Sequence, residues 1–163
     1  MAYTYLPFYD VTRNVGKGQA NMPLDVMLVQ FMLGLIALDS GWNTWHLFPA
    51  IGIEAGPAAI VPADGIYKPD LSDWIREFQT TANRTAFGML TVDGIVSPCR
   101  KAWGSEAISR GNYTIQAMNH ILASSVQYSS DKERFWNFAD TPGIPGALSK
   151  ELKVMRVSEN LSG

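Results

Sequence analysis

The sequence predicts a mainly all-α fold, and three observations support this class. A long apolar run, Leu24 to Leu38, carries hydrophobic residues at helical spacing on most of its faces. Two amphipathic runs follow, one from Asp73 to Gln79 and one that begins near Asn112. The third observation is a repeated Asp-Gly-Ile turn at residues 64–66 and 93–95, flanked by segments too short for real strands. We therefore expect a small helical core with short β-bridges at the Asp-Gly turns and extra helices toward the C-terminus.

The composition indicates a globular protein with few charges. Hydrophobic residues make up 47% of the 163 residues and charged residues 17%, with five Trp, six Tyr and seven Phe, so a sizeable core can be buried. The length suits one domain, or a core of about 80 to 100 residues with additions. A net charge of −2 lacks the basic surface of a nucleic-acid-binding protein. We expect no nucleic-acid partner, and the sparse charge favours a protein partner or a homo-oligomer.

The cysteine content and the N-terminus limit the chemistry and the location. Cys99 is the only cysteine, which excludes an internal disulfide and a multi-cysteine zinc site. The first residues lack the basic and apolar segments of a secretory signal. We therefore expect synthesis in the cytoplasm, with a site of action in the cell envelope or in an assembled particle. The run from Leu24 to Leu38 contains Asp25 and Gln30 and is shorter than the roughly 18 to 20 residues of a membrane span, so it is expected to be a core helix.

Residues 1–20 are predicted to form an irregular N-terminal arm. They mix aromatic residues with proline and glycine and follow neither a helical nor an alternating period. The arm either packs along the domain or docks on a partner. A first helix should follow, with Asn21 as its N-cap, Pro23 in its first turn and Asp25 near the positive end of the helix dipole. Ser40-Gly41 should end this helix.

Residues 41–61 are predicted to form a long loop rich in aromatic residues, which we call the aromatic insertion. The segment is long for a loop in a compact domain, and such loops tend to be functional or to pack as separate excursions. Trp42, Trp45 and Phe48 are candidate interface residues, because aromatic side chains provide large contact areas. Internal packing of the same side chains is the alternative.

The two Asp-Gly turns frame a second helix. The run from Asp73 to Gln79 is predicted to be helical, with Pro69, Asp70 and Ser72 preceding the helix, and residues 80–88 are interpreted as a loop. The sequence around Asp93-Gly94 gives a hairpin signal, but Pro98 cuts its second arm short, so we expect at most a small β-bridge. A short third helix should follow and carry Trp103. The residues expected on the buried face of the second helix are Leu71, Trp74, Ile75 and Phe78.

Residues 105–163 are predicted to be a helical extension and tail. Asn112 is a candidate N-cap for one helix, and Asp131 is a candidate start for the next. Residues 141–146 are a linker by composition, after which residues 147–157 form either a last amphipathic helix or a mobile arm. The apolar positions assigned to these helices are Ile115, Met118, Leu122, Val126, Phe135, Trp136, Leu148, Leu152 and Met155.

Residues 21–104 contain an ordered series of motifs: an apolar-x-x-apolar-Gln motif in the first helix, Asp-Gly-Ile before a second helix ending in Phe-Gln, and a second Asp-Gly-Ile before the third helix. The residues of this pattern are Val26, Val29-Gln30, Leu33, Asp64-Gly65-Ile66-Tyr67, Pro69, Ile75, Phe78-Gln79, Val92-Asp93-Gly94-Ile95-Val96 and Pro98. In this pattern the segment resembles the three-helix peptidoglycan-binding domains of bacterial and phage cell-wall proteins. Lys68 and Ser97 stand where the family usually has glycine, which removes backbone freedom from both turns.

The resemblance implies a function as well as a fold. It implies a non-catalytic binding module that recognises bacterial cell-wall peptidoglycan through a shallow groove near the two turns. In this chain Tyr67 and Trp103 would supply apolar contact, and Asp64, Arg76 and Asp93 would supply polar contact. The alternative is a structural or adaptor protein of a phage particle or a contractile secretion machine, which uses the same fold for protein–protein contacts.

No group of residues in the sequence indicates an enzyme. His46 and His120 are the only histidines and lie far apart in the chain, which argues against a histidine-based zinc site. No pair of carboxylates is singled out for glycoside hydrolysis, and the sequence has no glycine-rich phosphate loop. We therefore expect a non-catalytic protein without a cofactor or a metal ion.

Overall fold

The computed structural model describes residues 8–38, 61–84, 90–99, 113–124, 135 and 137–162. Within these ranges the protein is mainly helical and contains no strand, so the predicted helical class is confirmed at this level. The helices are α1 (Pro23–Leu38), α2 (Pro69–Arg84), α3 (Thr114–Ser124) and α4 (Gly146–Ser162), and a 3-10 turn (Phe138–Asp140) precedes α4.

Helix α1 is central, since α2, α3 and α4 all pack against it. Every residue from Leu28 to Ala37 is buried, so this helix is enclosed on most sides. Its almost continuous apolar pattern predicted that position, because a helix that is hydrophobic all round must lie inside the protein. In the described parts of the chain, no helix is both long enough and apolar enough to span a membrane.

The start of α1 differs from the prediction. Asn21 has a positive φ of 49°, and its side chain binds the arm: Gly16 N–H donates to Asn21 Oδ1, and Asn21 Nδ2 donates to Gly16 O, both at 2.8 Å. The carbonyl of Met22 accepts the first helical hydrogen bond, from Val26 N–H at 2.9 Å. The N-cap prediction for Asn21 is therefore wrong, while Pro23 takes the first helical position as expected.

The described part of the N-terminal arm, residues 8–20, packs into the core. Asp25 in the first turn of α1 holds it there, because its carboxylate accepts the backbone N–H of Thr12 at 2.8 Å and that of Arg13 at 3.0 Å. The Thr12 hydroxyl adds a third bond of 2.7 Å. Residues 8–20 thus follow the packing alternative, and their buried apolar side chains are Phe8, Tyr9, Val11 and Val15.

Tyr9 is the main anchor of the arm. Its side chain is fully buried, and its hydroxyl donates to the carbonyl of Phe135 at 2.8 Å. Its backbone is bound in both directions by Asn119 on α3, at 2.8 and 2.9 Å. The ring also packs against Phe138, with centroids 4.9 Å apart. One residue of the arm therefore joins α3 to the segment that precedes α4.

Helix α2 is longer at both ends than the predicted run from Asp73 to Gln79, because it begins at Pro69 and ends at Arg84. Residues 80–84, which the sequence suggested were a loop, complete the helix. Ala82 is buried in the core, and the Asn83 side chain binds the backbone of Leu90 twice, at 2.8 Å each. These tertiary contacts favour the helix where local propensity was indecisive.

The β-bridge near the second Asp-Gly turn connects to an unexpected segment. Val96 pairs with Val15 of the arm in an antiparallel bridge, through two hydrogen bonds of 2.9 Å. The hairpin signal suggested a local pairing with the residues just before Asp93. This bridge, the only one among the described residues, is as short as expected, but the residue that pairs with Val96 belongs to the N-terminal arm.

The C-terminal residues follow the helical alternative. Helix α4 begins at Gly146, which is the last residue of the predicted linker, and Leu148 and Leu152 are buried. In α3, Ile115, Met118 and Leu122 are buried as predicted. Several other predictions fall outside the described residues, namely those for Ser40-Gly41, Trp42, Trp45, Phe48, Trp103, Asn112, Val126, Asp131 and Trp136.

Candidate functional site at the Asp-Gly turns

The first Asp-Gly turn is held by a buried glutamine of α1. Gln30 is 5% exposed, and its Nε2 donates to Asp64 Oδ1 at 3.0 Å and to the carbonyl of Ile66 at 3.2 Å. In return, Gly65 N–H donates to Gln30 Oε1 at 2.9 Å. One side-chain amide therefore satisfies a donor and two acceptors of the turn, an arrangement that we call the glutamine clasp.

The second turn is held in the same way by α2. Gln79 is 1% exposed, and its Nε2 donates to Asp93 Oδ1 at 3.1 Å and to the carbonyl of Ile95 at 3.2 Å. Its Oε1 accepts the N–H groups of Asp93 at 3.1 Å and Gly94 at 2.9 Å. Gln79 Nε2 also donates to the hydroxyl of Thr114 at 3.0 Å, which ties this clasp to the start of α3.

Both turns approach the backbone of the helix that clasps them. A Cβ atom on Gly65 would lie 2.9 Å from the carbonyl oxygen of Pro23, and one on Gly94 would lie 3.1 Å from that of Ser72. Each of these carbonyls belongs to the residue seven positions before the clasp glutamine. Both glycines also have positive φ, 75° and 72°, a conformation that other residues rarely adopt. The two helix–turn units are therefore built as structural repeats.

The aspartates of the turns have an internal role. Asp64 Oδ1 accepts the N–H of Ile66 at 2.9 Å, and Asp93 Oδ1 accepts that of Ile95 at 2.9 Å. The hydrogen bond from Ile66 is the main cause that holds the pKa of Asp64 below its usual value, with the Gln30 amide and the charge of Lys68 acting in the same direction. Both aspartates are exposed, and Oδ2 of each takes no part in the clasp.

Ser72 connects the two turns to the arm. This buried residue accepts the N–H of Lys17 at 3.1 Å, and its hydroxyl donates to the carbonyl of Gly94 at 3.4 Å. Its Oγ also lies 2.8 Å from the hydroxyl of Tyr67, which follows the first turn. The polar end of Tyr67 is thus engaged inside the protein, while its half-buried ring packs against the core.

Arg76 covers the second turn. Its Nε would lie 3.2 Å from a Cβ atom on Gly94, and its Nη1 lies 3.2 Å from Asp73 Oδ1 in an ion pair one helical turn apart. Both side chains of that pair are exposed, so it contributes little stability and leaves the guanidinium accessible.

The structure places four of the five predicted contact residues at the turns. Tyr67 and Arg76 both approach the second turn, through Ser72 and Gly94 respectively. Asp64 belongs to the first turn and Asp93 to the second, and Trp103 lies outside the described residues.

Sequence reasoning missed the residues that organise this site. The family motif includes Gln30 and Gln79 but assigns no contact to either, and no local pattern indicates that Ser72 connects the turns. The sequence did offer a signal: each of two helices carries a glutamine on an apolar face, and each helix is followed in the chain by an Asp-Gly step. A buried amide in such a position requires hydrogen-bonding partners, and an Asp-Gly turn offers them.

Neither a search for metal-binding side chains nor comparison with known proteins assigns a function to this site. The described residues contain no group of three or more His, Cys, Asp or Glu side chains placed to hold a metal ion. Comparisons with protein-family models, with curated proteins and with solved structures found no match to this chain.

Proposed function

We propose that this protein is a non-catalytic binding module for bacterial cell-wall peptidoglycan, with its contact surface at the two Asp-Gly turns. The observation that carries the proposal is the repeated glutamine clasp. It joins, by direct hydrogen bonds, the Gln and Asp-Gly-Ile residues on which the resemblance to peptidoglycan-binding domains rests. A three-helix core like that of this family is part of the same proposal.

The exposed chemistry at the turns suits a polymer of sugars and short peptides. Asp64 and Asp93 are exposed acceptors for hydroxyl and amide groups, and Arg76 is an exposed donor for peptide carboxylates. Ile66, which is 58% exposed, offers an apolar contact beside them. Because the clasps fix both turns from inside, the carboxylates of Asp64 and Asp93 are held in place before a ligand arrives, which lowers the entropic cost of binding.

Co-sedimentation with purified, insoluble cell-wall sacculi tests the proposal. The protein should enter the pellet, and Ile66→Ser and Arg76→Gln should each reduce the bound fraction several-fold. Val154→Ser is the matched control, because Val154 on α4 is 59% exposed and lies outside the proposed surface. A protein that stays in the supernatant across salt concentration and pH refutes peptidoglycan binding.

A structural or adaptor role in a phage particle or a contractile secretion machine is the second candidate. It is favoured by the low content of charged residues, 17% of the chain, which leaves little electrostatic repulsion between protein surfaces, and by the aromatic-rich segments of the sequence, which suit protein contacts. Light scattering of the purified chain and isolation of complexes from the native source test this role. A monomer with no recovered complex counts against it.

A further inference from the structure

A cleft of about 320 Å³ lies between the N-terminal arm, the start of α1 and α4. Its walls are mostly leucine and methionine side chains, including Leu24, Leu28, Leu148, Leu152 and Met155. The volume is within the range of about 300 to 1,000 Å³ that is usual for small-molecule sites. None of the residues assigned to peptidoglycan contact lines this cleft.

The charged groups at the cleft all have the same sign. Its described lining contains the carboxylates Asp10, Asp25 and Glu151 and no lysine or arginine. Asp25 is only 4% exposed, and the three donors that reach it are neutral groups of Thr12 and Arg13: two backbone N–H groups and a hydroxyl. Within the described part of the chain, neither Asp25 nor Glu151 belongs to an ion pair. An apolar wall thus lies next to the carboxylates of Asp25 and Glu151, and no lysine or arginine of the described residues forms an ion pair with either of them.

The carboxylates have acceptor capacity to spare. An ionised carboxylate has about four acceptor positions, and the bonds to Asp25 occupy three of them, with only one on Oδ1. Glu151 lines the cleft, and the residue is partly exposed. An ammonium group brings three donors and a positive charge, and hydrogen bonds between charged partners are about twice as strong as neutral ones.

We propose that this cleft binds an aliphatic chain that ends in an ammonium group. The chain lies among Leu28, Leu148 and Leu152, and the ammonium group donates to Glu151 and to Asp25 Oδ1. The site goes beyond the proposed peptidoglycan surface and does not depend on it. A free aliphatic amine and the lysine side chain of a partner protein both have this chemistry, and the experiment distinguishes the two.

The test uses the full chain labelled with ¹⁵N and follows backbone amide shifts in NMR titrations at pH 7. The probes are n-hexylamine, 1-hexanol and hexanoate, which share a six-carbon chain and differ in the charge of the head group. Hexylamine should bind about tenfold more tightly than hexanol, and hexanoate most weakly. The shifts should be centred on Thr12, Leu28 and Leu152. Equal affinities for the three probes, or shifts centred elsewhere, overturn the proposal.

Two matched variants locate the ammonium group. Glu151→Gln should reduce the affinity for hexylamine to near that for hexanol and leave the affinity for hexanol unchanged. Glu77→Gln is the control, because Glu77 is also partly exposed but lies on α2 and away from the cleft. If Glu151→Gln and Glu77→Gln bind hexylamine equally well, the assignment of the head group is wrong.

A blocked cleft and a peptide probe complete the test. Leu24→Trp places a bulky ring at a half-buried position of the lining and should abolish binding while thermal unfolding shows that the variant is folded. The capped dipeptide acetyl-Leu-Lys-amide represents the lysine of a partner protein. Tighter binding of the dipeptide than of hexylamine assigns the site to a partner segment, and tighter binding of hexylamine assigns it to free amines. Undiminished hexylamine binding by Leu24→Trp contradicts the proposed location.

Discussion

Replacing Gln79 with alanine should cost more stability than any effect of helix propensity can explain. The side chain is 1% exposed and forms five hydrogen bonds. Alanine leaves the N–H of Gly94 and the hydroxyl of Thr114 without this partner, and both residues are buried. Each buried polar group left unsatisfied costs about 1 to 3 kcal/mol. The groups of Asp93 and Ile95 are nearer to solvent and can bind water, so we expect a total loss of about 2 to 4 kcal/mol.

Urea unfolding followed by circular dichroism at pH 7 measures this loss. Thr80→Ala is the control, because Thr80 is the next residue of α2, is half-buried and favours the helix less than alanine does. Its free energy of unfolding should stay within about 0.5 kcal/mol of the wild-type value. Gln30→Ala should lose somewhat less than Gln79→Ala, since the first clasp forms three of the same bonds and none to α3. If Gln79→Ala unfolds at the same urea concentration as Thr80→Ala, the clasp does not hold the turn.

The substitution Gln79→Glu separates hydrogen bonding from shape. A carboxylate can still accept the N–H groups of Asp93 and Gly94, but it cannot donate to Asp93 Oδ1, which lies 3.1 Å from the present Nε2. Two facing carboxylates raise the pKa of the introduced acid in the folded state. The variant should therefore be most destabilised at neutral pH and should recover relative to the wild type as the pH falls toward about 4, where the introduced acid is protonated. A loss that does not change with pH would contradict this explanation.

Three further predictions test other parts of the fold. Burial lowers the pKa of His120 in the folded state. As the pH falls below about 6.5, the unfolded chain therefore binds a proton more readily than the folded chain, and the free energy of unfolding should decrease. In urea titrations from pH 7 to 5, His120→Gln should make this decrease smaller. Gly65→Ala should lower the free energy of unfolding by at least about 1 kcal/mol more than Gly18→Ala does in the same assay. Both glycines have positive φ, but only at Gly65 would the added Cβ lie 2.9 Å from a backbone carbonyl oxygen, that of Pro23. Equal losses would mean that this contact relaxes without cost. Tyr9→Phe should lose about 1 to 2 kcal/mol, since it leaves the carbonyl of Phe135 without its 2.8 Å partner, and an unchanged thermal midpoint would show that this hydrogen bond contributes nothing.

Element type could be predicted where a single local pattern was strong. The apolar run of α1 required a buried helix, and the spacing of Leu71, Ile75 and Phe78 required one buried face on α2. The end of α2 could not be predicted in this way, because residues 80–84 are held as helix by burial of Ala82 and by the bonds from Asn83 to Leu90. Those contacts depend on chain segments that local propensity does not describe.

The N-cap of α1 shows the same limit at a single residue. Asn21 has the side chain of a good cap, and the sequence offered no reason to prefer another use for it. The arm brings Gly16 within reach, and the Asn21 amide binds that backbone instead. Likewise, Val96 was expected to pair locally, and its actual partner, Val15, is far away in the sequence.

At the candidate site, the sequence alone determined the two turns: Asp-Gly specifies a tight reversal, and the repeat marked both positions. Only the tertiary structure decided what holds them, because a glutamine in an apolar helix face acquires its role when a turn from elsewhere supplies its partners. The cleft is a still clearer case, since the arm, α1 and α4 each contribute part of its wall and no single segment encodes it. Local sequence patterns thus determined the type of the helices and the positions of the turns. Long-range packing determined the partners of buried polar groups and the surfaces left open for binding.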